Sequence, residues 1–212
     1  MRIVPFRVPP LDNAVYLVVD AGGEVLVIDP SFAEREILHE VRENGLHVVE
    51  VLNTHGHFDH AFGDAAVKAA TRATLSIHRL DAYRLEENAA TGSSFFPLMQ
   101  PRVEADDLLE EGDERHLADL RLVVMHTPGH TEGSVCFHLP EERLLFSGDT
   151  LFKAGLGRVD LPGGDAHQIV ASLRRLVTLP DETAVYPGHG PKTTIGGERA
   201  WIEGLSVEAL IG

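Results

Sequence analysis

The sequence predicts an α/β protein, and three observations carry that prediction. Apolar, β-branched runs alternate with capped amphipathic stretches along the whole chain. The two halves follow one plan. YLVVDAGGEVLVIDP, a helix and VVEVLNTHGH in the first parallel SVCFHLPEERLLFSGDT, a helix and TAVYPGHG in the second. If the parallel is a true duplication, two similar sheets pack face to face with helices outside. No linker separates the halves. A length of 212 residues with 43% hydrophobic and 24% charged residues therefore suits one domain, residues 1–212, with its own core.

In chain order, 14–19 and 24–28 read as strands joined by a hairpin over Asp20-Ala21-Gly22-Gly23, and Pro30 ends the second. Ser31 and Glu34 have the spacing of a capping box. The helix they open carries Ile37, Leu38 and Val41 and stops near Gly45. A strand at 48–53 leads into THGHFDH. A helix over 62–70, a strand at 75–78 and a helix over 79–87 follow. The stretch 88–101 is turn-rich yet holds Phe95, Phe96, Leu98 and Met99, either as a lid or as a cap on the core. Strands at 120–126, 134–139 and 143–147 precede a glycine-rich loop, 155–164. Asp165 and Gln168 open a helix with Ile169, Leu173, Leu176 and Val177 on one face, and 183–186 is a strand ending in PGHG.

Eighteen Lys+Arg against 33 Asp+Glu give a net charge of −15, which disfavours nucleic acid and anionic membranes as partners. MRIVPFRVPP lacks the apolar stretch of a signal peptide and no apolar run is long enough to span a bilayer, so the expected location is the cytoplasm. The single cysteine, Cys136, excludes an internal disulfide and reads as a small buried hydrophobe.

The chemistry lies in the histidines. His55, His57, Asp59 and His60 fall within six residues, a pattern with a chance probability of roughly one in 400 at this composition. In an extended segment His55 and His57 point the same way and can share one cation, and a turn at Phe58 lets Asp59 and His60 face a second. His130 in TPGHT, Asp149 in SGDT and His189 in PGHG each follow an apolar strand beside glycine. Seven N/O ligands without cysteine suit two borderline metals such as zinc, iron or manganese. Asp29, Thr54 and Thr150 are candidates to fix the far nitrogen of a ligand histidine. The other seven histidines (His39, His47, His78, His116, His126, His138 and His167) read as surface residues, with His126 worth attention for its closeness to His130.

THGHFDH, TPGHT, SGDT and PGHG, in this order over nearly the whole chain, resemble the metallo-β-lactamase superfamily. SGDTLF followed by GLGRVDLPGGD resembles its glyoxalase II-like (hydroxyacylglutathione hydrolase-like) subgroup. The resemblance implies a four-layer αββα sandwich of two mixed β-sheets with outer helices. It implies that His55, His57 and His130 hold one divalent ion, that Asp59, His60 and His189 hold a second, and that Asp149 bridges them, with zinc the expected metal and iron or manganese as alternatives. The implied reaction is hydrolysis of a small-molecule thioester, such as an S-acylglutathione-like substrate, by metal-bound hydroxide that Asp59 orients. Arg158 would hold the substrate's carboxylate, with Lys153 on the same loop a second candidate. The tyrosine expected after the basic residue is replaced near Val159-Asp160, and only a short tail follows His189, so the thiol carrier is left open. A mononuclear iron persulfide dioxygenase and a lactone hydrolase are the alternative readings. A non-catalytic module is disfavoured because all seven positions are filled. The sequence does not set the oligomeric state.

Overall fold

The computed structural model describes residues 1–87 and 99–211. The first sheet is built from β1 (Arg2–Val8), β2 (Asn13–Val19), β3 (Glu24–Ile28), β4 (His47–Asn53), β5 (Thr74–His78) and β6 (Asp107–Leu109), adjacent in that order. β1 to β3 run antiparallel and β3 to β6 parallel. The second sheet contains β7 (Glu114–Leu117), β8 (Leu120–His126), β9 (Val135–Leu139), β10 (Leu144–Gly148), β13 (Ala184–Pro187) and β14 (Thr193–Thr194), in the order β14-β13-β10-β9-β8-β7. Only β10 and β13 pair in parallel there. β11 (Leu151–Phe152) and β12 (Gly155–Leu156) form a small separate hairpin.

The layering follows from burial. β2 is buried along its whole length, so it reads as a continuous apolar run rather than an alternation. Val15, Leu17 and Val19 face outward against α1 (Glu34–Glu43) and α3 (Asp64–Thr71), meeting Ile37 and Val67. Ala14, Tyr16 and Val18 face the second sheet and share a core with Val124, Phe137 and Phe146. On the far side α4 (Ala166–Leu176) and α5 (Ile195–Glu203) bring Ile169, Leu173, Leu176 and Ile202 against Cys136, Leu145 and Val185. The result is the αββα sandwich. The pairing sequence antiparallel, antiparallel, parallel recurs in β1-β2-β3-β4 and in β8-β9-β10-β13, which is the parallel of the two halves expressed as topology. Burial in the apolar layer pushes the Cys136 thiol up to about 11.

Several local expectations are corrected. The proline-broken N-terminus forms β1, because Pro5 lies on an edge strand where a missing N–H costs no ladder bond. Ser31 does not cap α1. Its φ is +49°, and its hydroxyl donates instead to the carbonyl of Asp59 at 2.5 Å. The helix expected over 62–70 is α3, beginning after Gly63, and a short additional helix, α2 (Phe58–Ala61), precedes it. The helix expected over 79–87 is a 3-10 turn, Ala82–Leu85. α5 and a final helix, α6 (Glu208–Ile211), were not expected. The cap at Asp165 is as anticipated, accepting from the amides of His167 and Gln168. Phe95, Phe96 and Leu98 lie outside the described residues, whereas Met99 is exposed. His78 is not a surface residue. It is buried and stacks on His126 with ring centroids 4.2 Å apart. Among the described residues no helix is long and apolar enough to cross a membrane.

Candidate metal centre

Four strands end at one rim of the sandwich, and each delivers part of a single cluster. β4 runs out at Asn53, the chain bends at Thr54 and His55, and His57, with φ of −70° and ψ of 144°, precedes α2. This places His55 and His57 on the segment between β4 and α2 and Asp59 and His60 on the first turn of α2. His130 follows β8, Asp149 follows β10 and His189 follows β13. A strand end is a firm anchor, because the backbone behind it is fixed by the sheet.

All seven side chains converge. His55, His57 and His130 form one group and Asp59, His60 and His189 another, with the ligand-capable atoms of each group within 4.8 Å of one another. His57 Nδ1 lies 2.9 Å from His130 Nε2, and His60 Nε2 lies 3.2 Å from His189 Nε2. Asp149 stands between the groups: Oδ2 is 3.6 Å from His130 Nε2 and 3.5 Å from His189 Nε2, and Oδ1 is 3.4 Å from His60 Nε2. Asp59 Oδ2 is 3.4 Å from His189 Nε2.

The outer partners of the rings decide which nitrogens face inward. The Thr54 hydroxyl donates to Asp29 Oδ2 at 2.6 Å and is then free to accept from His55 Nδ1 at 3.1 Å. His60 Nδ1 donates to Asp29 Oδ2 at 2.9 Å, His130 Nδ1 to the carbonyl of Arg158 at 2.7 Å and His189 Nδ1 to the carbonyl of Leu11 at 3.0 Å. Four rings thus spend their Nδ1–H on an acceptor behind them and turn Nε2 toward the cluster. His55 Nε2 is buried with no hydrogen-bond partner. An orphaned buried acceptor beside other imidazoles and two carboxylates is unfavourable by itself, and the donor set suits a divalent cation of borderline softness. Thr150 takes no part, since its hydroxyl meets Thr127 instead of a histidine. Replacing Asp29 by alanine removes the acceptor behind His60 and the anchor of Thr54. Metal affinity is expected to fall about 10–100-fold, read by competition with a chelating indicator.

The electrostatics fit the same picture. Burial and neighbouring imidazoles hold His55 well below the ordinary histidine value, and burial and His130 do the same for His57. Burial also lowers His130. For His60 burial acts downward, but Asp149 and Asp59 outweigh it and raise the ring well above its usual range. Burial would raise Asp149 too, yet His60 holds it down at about 2. Asp59 is likewise held below the carboxylate range, against burial, by His60 and by hydrogen bonds from His189 and Asn13. An imidazole ligates a cation only in its neutral form, so at His60 a cation and a proton compete for the same nitrogen.

The metallo-beta-lactamase superfamily pattern matches residues 8–189. The chain belongs to the metallo-beta-lactamase superfamily. It is 34% identical to the probable metallo-hydrolase YqgX of Bacillus subtilis over 185 residues, covering 86% of this chain and 87% of that one. It is 37% identical to the hydroxyacylglutathione hydrolase of Maricaulis maris over 179 residues, covering 84% of this chain but 62% of that enzyme. Among solved structures, the BLEG-1 B3 metallo-beta-lactamase superposes with a TM-score of 0.88 at 32% identity, covering 93% of this chain and 96% of that one. The di-iron-bound form of TTHA1623 gives 0.83 at 38% identity, with 93% and 97% covered. ETHE1 from Myxococcus xanthus gives 0.81 at 32% identity, with 100% and 88% covered. Family and cluster together make this superfamily member a metal-dependent hydrolase.

Outside the cluster the sequence was less informative. Arg158 and Lys153 are both exposed. The Arg158 guanidinium is gripped by its neighbour Asp160 through two 2.7 Å hydrogen bonds, so its fork is engaged within the loop. It is the Arg158 carbonyl that reaches the cluster, through His130. Two contributors had no sequence signal. Asn13, fully buried at the start of β2, donates to Asp59 Oδ2 at 2.9 Å. The Phe152 ring meets His189 edge-on, with centroids 6.0 Å apart.

Proposed function

We propose that this superfamily member is a dinuclear thioester hydrolase of the glyoxalase II-like kind, in which His55, His57 and His130 hold one ion, Asp59, His60 and His189 hold the other, and Asp149 serves both. The observation that carries the reading is the position of Asp149, with one oxygen near His130 and His189 and the other near His60. The identity to a hydroxyacylglutathione hydrolase and the likeness to a di-iron-bound structure support it. Two divalent ions, zinc or iron, would supply Lewis acidity and bring the pKa of a water toward neutrality.

The chain's own residues do the rest. Asp59, kept ionised by His60 and fixed by Asn13, offers an acceptor oxygen that orients the nucleophilic water. Phe152 packs edge-on against the His189 ring and gives the site one apolar neighbour. A thiolate leaves with a pKa of about 8.5, so the chain need not supply a strong acid. Arg158 meets a substrate carboxylate by exchanging Asp160 for it, two hydrogen bonds for two. Arg158→Ala is then expected to raise KM about tenfold for carboxylate-bearing thioesters and to leave kcat within about twofold. Steady-state kinetics on paired charged and neutral thioesters check this, and an unchanged KM removes Arg158 from the pocket.

A second reading rests on a specific set. Asp149 with two of the histidines around it, His60, His130 and His189, gives a two-histidine, one-carboxylate group of the kind that holds a single catalytic iron. The purified protein separates the two when offered thioesters, lactones and persulfides with and without chelator. Chelator-sensitive thioester hydrolysis without oxygen uptake supports the hydrolase, and oxygen consumption with a persulfide supports the iron enzyme.

A further inference from the structure

Asp81 immediately precedes the 3-10 turn after β5 and Arg84 lies on it, and neither belongs to the metal cluster. Both side chains are fully buried. The Asp81 carboxylate accepts four hydrogen bonds, all from groups that matter to the rim. Oδ2 takes the amide of Gly56 at 2.7 Å and the hydroxyl of Thr131 at 2.8 Å. Oδ1 takes the amide of Gly133 at 2.9 Å and Nε of Arg84 at 3.3 Å. Gly56 is the residue between His55 and His57, and Thr131 follows His130. Arg84 continues outward to Glu132 at 2.5 Å and to the carbonyl of Pro162 at 2.9 Å, on the loop whose Arg158 carbonyl holds His130 Nδ1.

The glycines of these loops are shaped by the same pair. A Cβ on Gly56 would lie 2.6 Å from Cβ of Arg84, and one on Gly133 would lie 2.7 Å from the Asp81 side chain. A Cβ on Gly163 would collide with Glu132 and with the Arg84 guanidinium. The chain comes this close only because the loops pack directly on the ion pair. Nothing comparable ties Asp81 to Asp59, His60 or His189, which are held from the other side by Asn13, Asp29 and Leu11.

We infer that Asp81, backed by Arg84, is a positioning residue for the three-histidine half of the centre, joining the segment after β4 that carries His55 and His57 to the loop that carries His130. The inference rests on the two-ion reading above. Asp81 reaches only the three-histidine half, so that half can be loosened while the other stays.

The test is metal stoichiometry of the whole chain with zinc, together with the absorption spectrum after cobalt substitution. The wild type is expected to hold about two equivalents. Asp81→Asn keeps the size of the side chain but turns one acceptor into a donor facing two donors. It is expected to hold about one equivalent and to lose the cobalt bands of one site only. Ile37→Ala, a core change on the buried face of α1, is expected to lower Tm and still hold about two equivalents, which separates positioning from general destabilisation. Thr131→Val removes a single donor to Asp81 and is expected to weaken one ion about tenfold, so the test stands even where Asp81→Asn fails to fold. Loss of both ions or of neither in Asp81→Asn overturns the inference, as does unchanged affinity in Thr131→Val. A wild type that binds no zinc overturns instead the two-ion reading beneath it.

Discussion

Asp149→Ala is expected to lower kcat/KM for thioester hydrolysis by at least about a thousandfold. Its carboxylate lies within 3.6 Å of His60, His130 and His189, on three different chain segments. Its two oxygens thus face members of both three-residue groups. Removing it leaves Asp59 and Asp29 as the remaining carboxylates beside the imidazoles. Loss of about 4 kcal/mol of transition-state stabilisation is the scale expected when charge support at a metal centre is removed. Asp149→Asn, of nearly the same shape, isolates the charge and is expected to fall almost as far. The chain should still fold, because Asp149 anchors no strand pairing. Kinetics beside a circular-dichroism melt check both halves of the statement, and a kcat/KM within tenfold of wild type would remove Asp149 from its central role.

Gly129→Ala is expected to be the most damaging small substitution for stability. Gly129 has φ of +132°, a region that side chains rarely enter. A Cβ there would fall on the backbone of Ile169 at the start of α4, which cannot swing aside as a flexible side chain would. Its carbonyl also receives the amide of Asp165, the cap of α4, so the loop and the helix are locked together. Conformational strain and overpacking each cost roughly 1–3 kcal/mol, so a loss of about 4 kcal/mol and a fall in Tm of about 10 °C are expected. Differential scanning calorimetry measures this. A Tm within about 2 °C of wild type would show that α4 can retreat, and that the glycine of TPGH is not set by this contact.

The glycine beside His130 illustrates what the sequence made legible. The repeated strand–Asp–helix–strand–His order, the apolar runs and the glycine-flanked histidines pointed to two sheets and one shared rim, since each feature follows from local chemistry. The sequence showed glycines beside the ligand residues, but not what packs against them: Ile169 at Gly129, Arg84 at Gly56. Asn13 and Asp81 are ordinary residues in the sequence. Their importance arises because β2 and the turn after β5 are brought against loops distant in sequence. Ser31 misled for a related reason. Its capping spacing was sound locally, but the hydroxyl found a buried carbonyl at Asp59. The loop around Arg158 suggested an available guanidinium, and the neighbouring Asp160 engages it.

Metal analysis of the purified chain by mass spectrometry, before and after exhaustive chelation and with thioesterase activity followed in parallel, tests the central claim most directly. About two divalent ions per chain, with activity lost on their removal and regained on their return, is the predicted result. A chain that takes up no divalent metal, or that cleaves thioesters equally well without it, would contradict the account.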